Sequence, residues 1–296
     1  MSRWAALAVA AALAVSTATA AARPKRPLTV RLWLPPHGAT ARAERAEDRE
    51  LARELARVGR SYRGWAALWV HDLRTGATAG WNSDARFPAA SMVKLGVLAA
   101  VLRRYGPYPE RSAAWRDLRI MARTSDNAAA NRLVARLGGL APVQEALLRL
   151  GMTSSTYPGP YREETGLGDA PNPPPIRHWR VTTAHDLSRA LYTFQAAALG
   201  NRWVQHRSGL TRHEAEVGLA LLLSTVPRGA NVGLLRPSLR GVRLAQKNGW
   251  IDDMLGTAAI AYFGRGPKIV VVLAYRPDIS FSEAVGLGRR VTTIVR

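Results

Sequence analysis

The chain has no cysteine among its 296 residues, and lysine is almost as scarce. The absence of cysteine excludes a disulfide framework, a metal site with cysteine ligands and a lipid anchor attached to cysteine. Arginine supplies nearly all of the positive charge, with 38 arginines against four lysines, which are Lys25, Lys94, Lys247 and Lys268. A lysine in this chain therefore calls for a reason specific to its position.

Negative charge is also in short supply. Only 21 acidic residues face 42 basic ones, so the formal net charge is +21. A field of this sign favours anionic partners such as nucleic acid, acidic polymers or a membrane surface. The arginines are scattered, however, and no nucleic-acid-binding motif occurs. We therefore expect no nucleic-acid partner and favour attraction to an anionic envelope polymer.

Several catalytic motifs are missing as well. The sequence has no G-x-S-x-G elbow, no phosphate-binding G-x-x-x-x-G-K-[S/T] loop and no G-x-G-x-x-G opening a βαβ unit. The stretch "RHEAEV" lacks the second histidine of the zinc motif H-E-x-x-H. The sequence predicts neither a bound metal nor a cofactor.

The N-terminal 22 residues are typical of a secretory signal peptide. One charge, Arg3, precedes an apolar run from Trp4 to Val15, and Ala18-Thr19-Ala20 is a suitable cleavage site. The run is too short to span a bilayer. We expect an extracytoplasmic protein, in the envelope, in the periplasm or secreted, without stable membrane insertion after cleavage. Residues 23–40 are interpreted as a basic, proline-containing extension.

The remaining pattern, from residue 41 to 296, predicts one α+β domain. Residues 41–58 have helical periodicity with Thr40 as a possible cap, and two strand-like runs follow around "RTG". Helical runs fill the middle, from about 95 to 235. Three strand-like runs and a helix end the chain. We expect a five-stranded antiparallel sheet flanked by terminal helices, with an all-helical lobe inserted.

The stretch "FPAASMVKLGVL" contains an S-x-x-K, formed by Ser91 and Lys94, at the start of an apolar helical run. Free backbone N–H groups and the positive end of the helix dipole surround a serine placed there. A lysine one turn on, among apolar neighbours, would have a lowered pKa and could take the serine's proton. The alternative is a capping serine followed by a surface lysine.

Two further motifs follow in a fixed order. Ser125-Asp126-Asn127 lies between two helical runs, and Lys247-Asn248-Gly249 lies late in a strand candidate. Each has an ordinary explanation, as a helix cap or as an edge-strand lysine. The order S-x-x-K, S-D-N and K-[T/S]-G, however, is the signature set of penicillin-recognising serine enzymes.

On these motifs the chain resembles the class A β-lactamase family, as a divergent member. The resemblance extends from about Arg45 to the end and includes "RFPAASMVK", "TSDNAAANRLV", "RVTTAHDLSRAL" and "KNGW". It implies the β-lactamase/transpeptidase-like fold. It also implies that Ser91 is the acylated nucleophile, that Lys94 helps to deprotonate it, and that Ser125 relays a proton to the leaving nitrogen.

The resemblance further implies a set of substrate-binding residues. Asn127 would contact the substrate amide and Lys94. Lys247, with Asn248 and Gly249 of the same strand, would bind the substrate carboxylate. The backbone N–H groups of Ser91 and Trp250 would form the oxyanion hole.

The sequence departs from the family pattern in four places. Asparagine replaces the hydroxyl residue of K-[T/S]-G, and only 34 positions separate Ser91 from Ser125. The usual E-x-x-L-N of the Ω loop is absent, and the corresponding loop is longer and contains "PNPPP". Glu163 and Glu164 lie at about the right distance from Ser125, so either is a candidate deacylating base. The alternative is a pair of solvated loop carboxylates.

We therefore expect an exported serine hydrolase, and a monomer, that hydrolyses β-lactams through an acyl-enzyme on Ser91, in antibiotic catabolism or resistance. Two alternatives remain open. One is a D-alanyl-D-alanine peptidase, amidase or esterase acting on a cell-wall peptide at the same site. The other is a penicillin-binding envelope protein with little turnover, which acylates but lacks a deacylating base.

Overall fold

A six-stranded sheet is the centre of the computed structural model, which describes residues 40–161 and 180–296. In chain order the strands are β1 (Ala46–Glu47), β2 (Trp65–Asp72), β3 (Ala77–Trp81), β4 (Phe87–Pro88), β5 (Val181–Thr182), β6 (Arg243–Ile251), β7 (Met254–Phe263) and β8 (Gly266–Tyr275). The helices are α1 (Arg49–Arg60), α2 (Lys94–Tyr105), α3 (Trp115–Thr124), α4 (Asn127–Arg136), α5 (Ala141–Arg149), α6 (Ala184–Ala198), α7 (Arg202–Ser208), α8 (Arg212–Leu223) and α9 (Phe281–Val295).

The sheet has the order β1-β3-β2-β8-β7-β6, while β4 and β5 pair separately as a two-stranded sheet. Among the five longer strands, every neighbouring pair is antiparallel, as the sequence predicts. The predicted count of five needs a correction, because β1 adds a sixth strand parallel to β3. A strand of two residues is too short to produce an alternating sequence pattern.

The first helix begins later than its periodicity suggests. It starts at Arg49, and the Asp48 carboxylate accepts a hydrogen bond from the Leu51 N–H at 3.0 Å. Thr40, the expected cap, instead donates its hydroxyl proton to the Leu73 carbonyl. The residues before Asp48 form backbone hydrogen bonds beside β3, so tertiary pairing overrides the local helical pattern.

Each face of the sheet covers its own hydrophobic core. Along β2, Leu68 belongs to the core that α1 and α9 complete, whereas Ala67 belongs to the core shared with the helical lobe. The same alternation continues along β8, where Val270 and Val271 point to opposite faces. Burial on both faces explains why the central strands are almost continuously apolar.

Helix α2 runs through the interior of the helical lobe. Its first nine residues are all buried, beginning with Lys94, whose side chain is 1% exposed. An apolar sequence on every side of a helix is typical of such a central position. Among residues 40–161 and 180–296, no helix combines the length and apolarity needed to cross a membrane.

Candidate active site

Ser91 lies in the turn that joins β4 to α2. The backbone of this turn is held from outside, because the Ala89 N–H donates to the Arg180 carbonyl at 2.9 Å. Ala90, directly before the serine, has a φ of +44°, which is unusual for a residue with a side chain. Ser91 then begins a tight turn in which the Lys94 N–H donates to its carbonyl. Ser91 therefore stands in the turn directly before the N-terminal end of α2, the positive end of the helix dipole.

Lys94 is the only residue of this helix that brings a charge into the core. Its Nζ donates to the Ser125 carbonyl at 2.6 Å and to Asn127 Oδ1 at 2.7 Å. Burial holds the pKa of Lys94 well below its ordinary value, and the nearby charge of Lys247 lowers it further. Burial thus favours the neutral amine of this lysine, which is the form that can accept a proton.

The motif Ser125-Asp126-Asn127 is the junction between α3 and α4. Ser125 ends α3 in the left-handed conformation, with a φ of +63°. Asp126 caps α4 through a hydrogen bond from the Ala129 N–H at 2.6 Å. The capping explanation of this motif is therefore correct for Asp126. Ser125 and Asn127, on either side of it, are turned toward Lys94.

Lys247 of β6 approaches the same serine from the opposite side. Its Nζ donates to Ser125 Oγ at 2.7 Å and to its neighbour's carbonyl, that of Asn248, also at 2.7 Å. The side chain is buried, and burial lowers the pKa of Lys247 to about 7. Ser125 is thus bracketed by two amines, with Lys94 on its carbonyl and Lys247 on its hydroxyl.

Gly249 allows β6 to pass close to the turn that contains Ser91, the candidate nucleophile. A Cβ atom on Gly249 would lie 3.0 Å from Met92 Cγ and 3.1 Å from the Ala89 carbonyl oxygen. Contacts this tight would force the neighbouring atoms to move if a side chain were added. The close approach places the backbone that follows Lys247 beside Ser91 and explains the glycine in the motif.

The side chains of Asn248 and Trp250 point to the other face of β6. Asn248 Nδ2 donates to the Asn231 carbonyl at 2.7 Å, and its Oδ1 accepts from the Thr257 hydroxyl at 2.8 Å. Trp250 packs against the core that α9 covers. Both ends of the Asn248 amide are therefore engaged away from the lysine face of the strand. The Trp250 side chain likewise lies away from the lysine face of β6.

Tyr161 is a site residue that the sequence motifs do not indicate. The centre of its ring lies 4.2 Å from Lys94 Nζ, and its hydroxyl donates to the Ala90 carbonyl at 3.1 Å. Its backbone is held on both sides by Asn131, which accepts from the Tyr161 N–H at 2.8 Å and donates to the Tyr161 carbonyl at 2.7 Å. The only available signal was Asn131 itself, four residues after Asn127 and thus on the same face of α4.

Arg180 also packs over the Tyr161 ring. Its guanidinium carbon lies 4.1 Å from the ring centre, and its Nη2 donates to the Gly159 carbonyl at 2.6 Å. The side chain is fully buried, and its charge is one of the contributions that lower the pKa of Lys94. The aromatic ring therefore contacts two cationic side chains, those of Lys94 and Arg180.

Glu163 and Glu164, the candidate deacylating bases, lie outside the described residues. Within the part of the chain that the structure covers, no cluster of three or more histidine, cysteine or acidic side chains is arranged to hold a metal ion. The described site is thus a serine at a helix N-terminus, two buried lysines and a bridging serine. Chemically, this set can activate a hydroxyl and deliver a proton to a leaving group.

Comparisons with known proteins identify the family and the fold of the chain. The sequence model of the β-lactamase enzyme family matches residues 50–107 and 105–296. No curated protein is significantly similar in sequence. Many solved structures match this chain. Those compared below have low sequence identity, so the match is evidence for the fold.

Three solved structures illustrate the similarity. PBP-A superposes with a TM-score of 0.68 at 21% identity, over 86% of this chain and 97% of that chain. A β-lactamase from Desulfarculus baarsii gives a TM-score of 0.65 at 21% identity, over 83% and 97%. The TLA-3 extended-spectrum β-lactamase gives 0.68 at 14% identity, again over 83% and 97%. The fold expected from the sequence is confirmed.

Proposed function

The chain belongs to the β-lactamase enzyme family, as a serine hydrolase acting on cyclic amide bonds, and we propose that it opens β-lactams by acylation of Ser91. The observation that carries this proposal is the pair of buried lysines on either side of Ser125, next to the Ser91 turn. Burial of two amines costs free energy, and such buried groups are concentrated at functional sites. Their lowered pKa values suit the two lysines to proton transfer.

The acylation step follows from these contacts. Ser91 Oγ attacks the lactam carbonyl carbon, and its proton passes to the free amine of Lys94. The ring C–N bond then breaks, and the nitrogen takes a proton from the Ser125 hydroxyl, which Lys247 resupplies through its 2.7 Å hydrogen bond. The backbone N–H groups of Ser91 and Trp250 hold the negative oxygen, a contribution worth about 10²–10³ in rate per donor.

Substrate recognition is assigned to the same strand and helix junction. Lys247, when protonated, attracts the carboxylate that most β-lactams carry, and Asn127 offers its amide to the acyl side chain. Asn248 contributes by holding this part of β6 in place, since its own amide is bound to Asn231 and Thr257. Gly249 contributes by letting the strand approach the Ser91 turn.

A peptidase acting on D-alanyl-D-alanine is the second candidate. It would use the same acylation machinery, with a peptide bond in place of the lactam. PBP-A, which shares this fold, has been solved as a single-residue variant in an acyl-enzyme complex with penicillin G, and acylation of this kind is compatible with either substrate. The high positive charge suits an anionic cell-wall setting and is compatible with either substrate.

The test is acylation by a chromogenic cephalosporin, followed by absorbance and intact-mass spectrometry. We expect opening of the ring and a mass increase on Ser91, both lost in Ser91→Ala and retained in the control Ser282→Ala, which changes an exposed serine. Release of D-alanine from a peptide substrate, without opening of the cephalosporin, would replace this proposal with the peptidase. Labelling at another residue would reject the site.

Export is part of the proposal and rests on the signal-peptide pattern of residues 1–22. The full chain should reach an extracytoplasmic compartment and lose its N-terminal segment near Ala20. Fractionation combined with the intact mass of the exported protein checks both points. A full-length protein retained in the cytoplasm would contradict them.

A further inference from the structure

A groove of about 350 Å³ lies along α3 and reaches the residue before Ser125. Three apolar side chains line it, those of Trp115 and Ile120 on α3 and that of Val226 in the segment after α8. Thr124, at the C-terminal end of α3, lines it as well. A ligand lying in this groove would therefore extend toward the active site.

Three arginines of α3 line the same groove. Arg116, Arg119 and Arg123 are three and four positions apart, so they follow one another along one side of the helix for about 10 Å. The base of the row is fixed, because the Val226 N–H donates to the Arg123 carbonyl at 2.8 Å. Like charges at this spacing destabilise a helix. An anion that lies against the row would remove this repulsion.

The acidic residue of α3 is committed elsewhere. Asp117 is buried, and its Oδ1 accepts a hydrogen bond from Arg132 Nη2 of α4 at 2.8 Å. Its other oxygen, Oδ2, lies 4.0 Å from Arg136 Nε, also of α4. Asp117 thus joins α3 to α4, and it faces away from the charge that lines the groove.

Helix α1 shows how this chain composes an ordinary solvated helix face. Its exposed arginines, Arg49, Arg53 and Arg57, are four positions apart. Glu50 and Glu54 each follow one of them directly, so both signs of charge are mixed on the surface. Mixed charge of this kind is typical of a solvent-facing helix. The row on α3 differs, because its arginines line a groove together with apolar side chains.

The combination of charge and apolar surface indicates the chemistry of the ligand. Guanidinium groups bind carboxylates with two parallel hydrogen bonds. The face of an indole ring, such as that of Trp115, is negative and attracts the C–H groups on the apolar face of a sugar ring. A row of charges about 10 Å long fits a chain with repeated charges better than a single small anion. A chain of carboxylate-bearing sugars has all of these properties.

We propose that the α3 groove binds an acidic polysaccharide, with Arg116, Arg119 and Arg123 on its carboxylates and Trp115 against a sugar ring. The net charge of the protein attracts any polyanion, whereas the groove selects one that is built of sugar rings. A bound chain holds Ser125 and the rest of the active site beside the polymer. This binding is separate from the acylation of Ser91 proposed above and does not depend on it.

The experiment is calorimetric titration of the purified protein with a short oligogalacturonate, which carries one carboxylate on each sugar. We expect binding at about 0.1 M salt. The combined variant Arg116→Gln, Arg119→Gln and Arg123→Gln should raise the Kd by about tenfold or more, since each exposed ion pair contributes about 1.4- to 5-fold. The methyl ester of the same oligomer, which keeps the rings but not the charge, should bind more weakly by a similar factor.

The matched control is the combined variant Arg49→Gln, Arg53→Gln and Arg57→Gln, which removes three charges from the exposed face of α1. Its Kd for oligogalacturonate should stay within about twofold of wild type, the effect of less than one exposed ion pair. Polyglutamate has carboxylates but no sugar rings, so both combined variants should weaken its binding equally. Trp115→Leu should weaken binding of oligogalacturonate alone. Thermal unfolding checks each variant, and the arginine variants decide the matter if Trp115→Leu does not fold.

Four results would overturn the proposal. The first is an absence of oligogalacturonate binding to the wild-type protein. The second is an equal Kd in the two combined variants, which would leave only net charge as the cause. The third is binding of the methyl ester as tight as that of the acid. The fourth is tighter binding of polyphosphate or a single-stranded oligonucleotide, lost in the α3 variant, which would assign the groove to a different polyanion.

Discussion

At the scale of single residues, two of the few lysines stand at positions where arginine could not serve. An arginine stays protonated in any protein environment, whereas burial can strip a lysine of its proton. Two of the four lysines, Lys94 and Lys247, are buried with lowered pKa values, and both contact Ser125. The use of arginine elsewhere makes these two positions stand out in the sequence.

Replacing Lys94 by methionine should abolish fast acylation and leave a folded protein. Methionine has a similar length and no proton to accept, so the acylation rate should fall by about 10²–10⁴-fold. Lys268→Met is the matched control, because Lys268 only donates to the Val295 carbonyl near the end of α9. The burst rate and the thermal unfolding curve measure the two effects. An acylation rate close to wild type in Lys94→Met would remove Lys94 from the mechanism.

The preference for anionic substrates should weaken as the pH rises through about 7. Burial lowers the pKa of Lys247 to about 7, so its ammonium is present below that pH and is lost above it. A hydrogen bond to a charged group contributes about 1.5–3 kcal/mol, or roughly 10–100-fold in kcat/KM. The ratio of kcat/KM for a β-lactam to that for its methyl ester isolates this contribution, because titration of Lys94 affects both substrates alike.

A control variant completes the pH measurement. In Lys247→Met the ratio should be low and should not vary with pH. A wild-type ratio that is constant from about pH 5.5 to pH 8.5, around the expected pKa, would show that Lys247 does not hold the carboxylate.

At the scale of elements, the site depends on how closely β6 passes the turn before α2. Gly249→Ala should push this strand away, because the new Cβ would meet Met92 and Ala89 at 3.0–3.1 Å. Overpacking of this kind costs about 1–3 kcal/mol. We expect Gly249→Ala to lose a larger share of its acylation rate than of its free energy of unfolding, because β6 is an edge strand and can shift locally.

Gly264→Ala is the control for this change, because a Cβ there has no neighbour within 4 Å. Both variants should be compared by urea unfolding and by the acylation burst. Equal acylation rates in the two variants would mean that contact between β6 and the Ser91 turn is not required.

Element boundaries show where local patterns stop being informative. The strands around "RTG" and at the end of the chain follow from short apolar runs bounded by turn residues, which are local signals. The start of α1 does not, because residues before Asp48 pair with β3, about 30 positions further along the chain. Periodicity predicts that a helix exists, but pairing with another segment of the same chain sets the residue at which the helix begins.

At the scale of the whole molecule, the dominant property is charge. A formal net charge of +21 should hold the protein on an acidic polymer such as immobilised polyglutamate at low salt. Raising the salt from about 0.1 M to about 1 M shortens the Debye length from about 10 Å to about 3 Å and should release it. Chromatography with a salt gradient checks this. Retention that does not depend on salt would point to a specific contact instead.

The sequence by itself determined the set of candidate reacting groups and the general architecture. Ser91, Lys94, Ser125 and Lys247 carry their chemistry in short motifs, and the sheet and helical lobe follow from periodicity, which is a local property. Only the tertiary structure decided how those groups are enclosed. Tyr161 reaches the Ala90 carbonyl across 71 positions of the chain, and Asn248 turns its amide to Asn231 on the far face of its strand. Such contacts depend on the packing of distant segments, which no local pattern contains.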